Sequence, residues 1–389
     1  MITINSNKQS GTITTRVVCA ICFVLFSFSW LYFLQGDVLA VAQHILSEGV
    51  THYDSLIGAI TITITLFLIQ IVVMMAVKFE KETFALSYLP SLLLLALLSD
   101  ITPAIYDKSV IVFWLIVGSL TVILWIGIIW LTRQVLTFNN NKDLNTGLFS
   151  RQTWVNLLQM IIMMFGVGVS GHTTAVEHYG DYAESALMRN DYDDALKVGK
   201  KSLDTDERLT MLRAFALSKQ QRLGDELFTY ALKGTGETLL PQKVKPLLMN
   251  ADSIWKHLGA RPASPMSSYR YFQLLDSLAT PAVADYRLCS YLIDRKINDF
   301  VRLLPKYYNL TDSLPLHYRE ALVIYESIRN GESQKSVSDT IVFQEDTLLE
   351  QKWIQFCQLE KDYPLFTERH FHAYDTFRNT YWYYYYYCK

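Results

Sequence analysis

The stretch SLIGAITITITLFLIQIVVMMAV, residues 55–77, contains no charged side chain. At about 1.5 Å of rise per helical residue it is long enough to cross the ~30 Å hydrocarbon core of a bilayer. Three further uncharged runs reach or nearly reach that length: Val17–Leu34, Ser109–Thr132 and Gln152–Gly171. A fifth, Thr83–Ser99, is shorter, carries Pro90 and is fenced by Glu82 and Asp100.

Basic side chains distinguish the two faces of the membrane, because cytoplasmic loops retain them. Lys8 and Arg16 precede the first run, and residues 35–54 hold neither Lys nor Arg. Lys78 and Lys81 follow the second run, Lys108 alone follows Ser99, and Arg133, Lys142 and Arg151 follow Thr132. If Thr83–Ser99 crosses, the basic loops alternate in and out without exception. If it does not, the three-basic loop 133–151 lands outside. The segment is therefore read as a short fifth span. Five crossings from a cytoplasmic N-terminus put residues 172–389 outside the cytoplasm. Ala40-Val41-Ala42 imitates a signal-peptide cleavage site, but the first run, 18 residues from Val17 to Leu34, exceeds the usual ~7–15 of a signal core. It is read as an anchor.

Charge is unevenly spread. Residues 1–171 hold eight basic and eight acidic side chains, against 27 and 29 in the remainder. This break marks a boundary near Gly171 and predicts a transmembrane domain, 1–171, followed by an extracytoplasmic domain, 172–389. The net charge of −2 gives no footprint for nucleic acid. Cys289, Cys357 and Cys388 have neither the density of a disulfide framework nor a zinc-ligand spacing, although one bridge among them stays open.

No ionisable residue sits at the middle of any run, which argues against ion-coupled transport. The most polar side chains inside the runs, Gln70, Asn156 and Gln159, are read as interhelical hydrogen-bonding groups. Gly166-Val-Gly168-Val-Ser-Gly171 matches G-x-G-x-x-G by letter only, because it closes a membrane run instead of joining a strand to a helix.

From His172 the pattern becomes helix, polar turn, helix. Ala175–Met188 pairs with a segment capped by Asn190, in which Tyr192, Ala195, Leu196, Gly199, Ser202 and Leu203 share one face. The N-D-Y-D-D-A-L turn is similar to that of a tetratricopeptide repeat, with Ala195 at the close crossing, though the usual Trp, Gly and closing Pro are missing. Glu207–Ser218, Leu223–Leu232, Asp285–Leu304 and Leu316–Arg329 continue the pattern, and Gly234–Pro246 and Gly331–Ser338 are loops. The fold class is thus all-α: about five membrane helices (17–34, 55–77, 83–99, 109–132, 152–171), then a helical-repeat domain. The concave face of such stacks commonly binds a partner.

Two stretches stand apart. Tyr381, Trp382, Tyr383 and Tyr384 open an all-aromatic C-terminal run that is read first as an interfacial belt at headgroup depth. Docking in the last groove of the repeat domain is the second reading, and a glycan-stacking platform the third. Residues 35–54 read as an amphipathic helix on the outer interface. Within them His44, Glu48 and His52 recur every four residues and are candidates for catalysis, with Gly49 placed to break the helix before His52. Glu368, His370 and His372 pose the same question at looser spacing. Neither set predicts a metal site, and no cofactor motif occurs.

Several stretches resemble an uncharacterised family of Bacteroidota-type integral membrane proteins, a domain of unknown function. They are Gln35–Asp37 through His44, Gly49–Tyr53, Lys200–Met211 (K-K-S-L-D-T-D-E-R-L-T-M), Asp285–Cys289 (D-Y-R-L-C), Leu314–Leu322 (L-P-L-H-Y-R-E-A-L) and the terminal T-Y-W-Y-Y. The resemblance implies a Gram-negative inner membrane and hence a periplasmic tail; it implies no activity and no site residue. The expectation is a non-enzymatic scaffold or partner-binding subunit held in the bilayer. The alternative is an enzyme of cell-envelope or lipid-linked glycan metabolism, its site between residues 35–54 and the tail.

Overall fold

Hydrocarbon offers no partner to a backbone N–H or C=O, so a chain of this composition must satisfy those groups within helices. The computed structural model describes residues 3–388 apart from 48–49, 52, 78, 80, 101–107, 137–149, 171–173, 277–279 and 332–345, and no strand occurs among the described residues. The chain divides into two units, Met1–Thr174 and Ala175–Lys389.

In the first unit α1 spans Thr3–Ser29 and continues through a π-helical turn, Trp30–Leu34, into α2, Gly36–Leu46; α3 spans Ser55–Ala76. A 3-10 stretch, Phe84–Tyr88, leads into α4, Leu89–Ser99, followed by α5, Lys108–Leu136, and α6, Arg151–Ser170. Four helical segments are long and apolar enough to cross a membrane: Ile13–Leu34, Ser55–Ala76, Ile111–Thr132 and Arg151–Ser170. Phe84–Ser99 is shorter. At about 2.0 Å per 3-10 residue and 1.5 Å per α-residue it extends roughly 26 Å.

The 3-10 entry to α4 breaks the regular hydrogen-bond ladder, and side chains of neighbouring helices repair it. Asn156 of α6 accepts from the Ala85 N–H at 2.7 Å and donates to the Lys81 carbonyl at 2.9 Å. Gln159 donates to the Glu82 carbonyl at 3.1 Å. Gln70 of α3 donates to the Ser87 hydroxyl at 3.0 Å. All three polar side chains singled out in the runs therefore serve one turn. Phe84, Ala85, Leu86, Ser87 and Tyr88 are all buried, and Tyr88 packs on Phe23 with ring centroids 4.9 Å apart. At the other end of α4, Asp100 accepts from the Trp114 indole at 2.6 Å, and Ser99 from that of Trp30 at 2.7 Å.

The second unit contains twelve helices among its described residues: α7 Ala175–Met188, α8 Tyr192–Lys197, α9 Glu207–Lys219, α10 Leu223–Glu226, α11 Asp252–Leu258, α12 Ser268–Leu275, α13 Pro281–Ile293, α14 Ile297–Tyr307, α15 Leu316–Gly331, α16 Thr347–Asp362, α17 Phe366–Phe377 and α18 Tyr381–Tyr387. Three of its helix pairs are joined by the same turn. Asn190, Gln221 and Arg295 take left-handed φ of 59°, 58° and 56°. In each case the next residue's N–H reaches back to the carbonyl five residues earlier: Asp191 to Ala186, Arg222 to Leu217 and Lys296 to Tyr291, all at 2.9 Å. This is the Schellman closure of one helix, followed directly by the start of the next.

That turn corrects the expected boundary at Asn190. Asn190 closes α7, and Asp191 is the cap of α8, its carboxylate accepting from the Asp194 N–H at 3.1 Å. Nor does α8 run to Leu203. It stops at Lys197 because Gly199 turns to φ 60°, where a Cβ would lie 2.7 Å from the Tyr179 ring. Leu203 is left 65% exposed. The expected helix Leu223–Leu232 is likewise cut to α10 and a 3-10 turn, Leu227–Thr229. The expected loop at Gly234–Pro246 holds a 3-10 turn, Gly236–Leu239. The other expected loop lies, beyond Gly331, outside the described residues.

Candidate functional site

A helix of seven aromatic residues presents apolar surface on every side, so it is stable only where neighbours cover most of it. In α18 Thr380 supplies the cap, its hydroxyl accepting from the Tyr383 N–H at 3.2 Å. Glu320 of α15 holds the first turn: its carboxylate accepts from the Tyr381 N–H at 2.7 Å and its carbonyl from the Trp382 indole at 2.9 Å. The phenols of Tyr381 and Tyr384 each donate at 3.0 Å to the last carbonyls of α13, Leu292 and Ile293. The rings pack on Phe228, Trp353, Phe356 and Phe377.

Tyr381 and Trp382 have no exposed surface, and Tyr383 and Tyr384 keep 6% and 8%. Rings covered this far by the protein core have little surface to offer lipid headgroups. The interfacial-belt expectation is corrected for these four residues: they dock in the core of the helical unit. The signal missed was their distant partners, above all Glu320 in L-P-L-H-Y-R-E-A-L.

Beside α18 lies a cavity of about 290 Å³, bounded by the turn after α8, the segment after α10 and the chain from Tyr374 to Cys388. Its cations are Lys200, Lys201 and Arg378, and no carboxylate lines it among the described residues. The Lys200 ammonium lies over the Tyr230 ring, 5.4 Å from its centroid, and the Arg378 guanidinium over Tyr374 at 5.5 Å. Behind the wall sits Arg213, almost wholly buried, 4.9 Å from the same Tyr230 ring. It donates to the carbonyls of Val198 and Ala231, at 3.1 and 3.4 Å. Burial pushes its pKa down to about 10. Burial also pushes the Tyr383 and Tyr384 phenols up to about 12, so both stay neutral.

Of the residues expected to carry chemistry, His44 is half-buried near the end of α2, whereas Glu48 and His52 lie outside the described residues. Among the described residues no three His, Cys, Asp or Glu side chains are grouped to hold a metal ion. Asp54 of the same segment caps α3, accepting from the Leu56 and Ile57 N–H groups at 2.9 Å. His370 shares a 2.8 Å hydrogen bond with the Tyr383 hydroxyl, and His372 stacks on Tyr363. All five cysteines are free; Cys289 is buried, Cys388 half-buried and Cys357 exposed.

Residues 272–388 match a family described as a family of unknown function, DUF6057. The match opens inside α12 and closes at Cys388. It takes in the Glu320 contact, α18 and the Tyr374–Cys388 wall of the cavity, and it leaves out Lys200 and Lys201. The chain matches no curated protein, nor any solved structure.

Proposed function

We propose that this chain is a bacterial inner-membrane protein that presents a periplasmic helical-repeat surface to a protein partner, as a scaffold or partner-binding subunit. One observation carries the reading. The α16–α17 hairpin buries Leu349, Phe356, Ala373 and Phe377, yet leaves Leu348, Ile354 and Phe371 65–70% exposed. Large apolar side chains left exposed on a helical scaffold are a common means of protein capture.

Sidedness in this reading rests on the basic residues of the loops and on Phe84–Ser99 as a short fifth span. Its ~26 Å reach falls a few ångströms short of the core, a mismatch that local thinning accommodates at fractions of a kcal/mol per ångström. The three Schellman-linked pairs support the tetratricopeptide-like description.

The test is in-cell photo-crosslinking from position 354 or 371, followed by purification. A discrete adduct that disappears in Phe371→Glu is the expected result. Lipid adducts alone, or no adduct, exclude the partner surface.

A further inference from the structure

Lys200, Lys201 and Arg378 line the cavity beside α18, and no carboxylate joins them among the described residues. Neither Lys200, Lys201 nor Arg378 has a carboxylate partner among the described residues. Lys200 is held over a tyrosine ring, and Arg378 over another with one long hydrogen bond, 3.4 Å, to that Tyr374 hydroxyl. Arg213 adds a fourth positive charge behind the wall, bonded only to neutral carbonyls, and its Nε has no partner. The nearest acid acting on it, Asp206, is already used as the cap of α9, accepting from the Leu209 N–H at 2.7 Å.

A guanidinium taken out of water without an anionic partner is costly. The Lys200 ammonium lies near the same Tyr230 ring as this guanidinium, so two positive charges share one neutral neighbour. An anion in the cavity lowers both costs at once.

The rest of the lining narrows the ligand. Ser202, Thr205 and Asn379 supply neutral hydrogen-bonding groups, and the Thr205 hydroxyl oxygen is buried without a partner. Tyr374 and Tyr383 supply aromatic surface. Hydroxyl-seeking groups beside aromatic side chains suit a sugar ring, and three cations in one lining suit a phosphate dianion. The volume, about 290 Å³, lies at the small end of ligand pockets, typically ~300–1,000 Å³.

We infer that this cavity binds a sugar phosphate, with the phosphate between Lys200, Lys201 and Arg378 and the sugar against Tyr374 and Tyr383. The site shares α17 with the proposed partner surface through Tyr374, but Leu348, Ile354 and Phe371 do not line it, so it stands whether or not a protein partner exists.

The experiment is calorimetric titration of the detergent-solubilised full chain with three probes: glucose 1-phosphate, glucose and inorganic phosphate. Glucose 1-phosphate is expected to bind at least tenfold more tightly than either of the others. Lys200→Ala and Arg378→Ala, both at exposed positions, should weaken it at least tenfold and leave the ligand-free melting temperature unchanged. No binding by glucose 1-phosphate, or equal affinity in wild type and variants, overturns the site. Equal binding of inorganic phosphate and glucose 1-phosphate overturns the sugar assignment.

Discussion

The Glu320 carboxylate accepts two hydrogen bonds through one oxygen, from the Tyr381 backbone N–H at 2.7 Å and from His317 Nδ1 at 2.8 Å. Both Glu320 and His317 are buried. The shared oxygen joins the start of α18 to α15, and the Glu320 carbonyl adds the Trp382 indole. Removing the carboxylate orphans a helix-terminal N–H and a buried imidazole together. Glu320→Ala is expected to cost about 2–4 kcal/mol, read as a fall in melting temperature with loss of near-ultraviolet circular dichroism from the aromatic cluster. Trp382→Phe should cost less, about 1 kcal/mol, since it loses chiefly one hydrogen bond. An unchanged melting temperature for Glu320→Ala would mean that α18 is held by ring packing alone.

In the membrane unit, Asn156 is irreplaceable by an apolar residue of similar size. Asn156→Leu leaves the buried Ala85 N–H without its partner, at about 1–3 kcal/mol, whereas the Lys81 carbonyl keeps the Gln152 amide at 3.2 Å. Thermal unfolding in detergent should rank Asn156→Leu well below Gln70→Leu, because Gln70 serves a hydroxyl and not the backbone.

The exposed Gln221 holds a left-handed backbone. Gln221→Gly is expected to stabilise the protein by about 0.5–1 kcal/mol, against the usual effect of introducing glycine. Gln221→Val should destabilise, as a β-branched residue tolerates this region worst. Chemical denaturation of the two variants gives the sign directly.

Asp276 ties the end of α12 to Arg287 at 2.7 Å, and also to Lys306 and Tyr307. Partial burial opposes its charge, but the three donors outweigh it and hold the carboxyl at about 2, below its usual 3.8. A depressed folded-state pKa contributes stability above the unfolded value, and that contribution is lost as pH falls from about 4 to 2. Asp276→Asn should be less stable at pH 7 and should lose stability less steeply across that window. Asp285 runs the other way: burial raises its pKa despite the Tyr308 and Tyr318 phenols. Its contribution is lost as pH rises from 3.8 through the raised value, so Asp285→Asn should lose less stability across that rise.

The long apolar helices were legible because absence of charge over a span is a property of the run itself. So were Gln70, Asn156 and Gln159, polar groups in apolar surroundings that had to find partners. The 3-10 entry at Phe84 was not, because it depends on donors and acceptors some 70 residues away in α6. Asn190 was placed one residue wrongly: both Asn and Asp can cap, but only a local left-handed turn decides which one does. The aromatic tail was misread for a deeper reason. A run of tyrosines looks the same whether lipid or protein covers it, and its cover comes from α13, α15 and α16. The cavity was equally hidden, since Lys200 and Arg378 meet only in the folded chain.

The sidedness of the helical unit underlies the whole proposal, and a native residue reports it. Cys357 is exposed, whereas Cys19 and Cys289 are buried. A membrane-impermeant maleimide added to intact spheroplasts is predicted to label Cys357, with the label lost in Cys357→Ser. Labelling of Cys357 only after the inner membrane is lysed would put this unit in the cytoplasm and contradict the account.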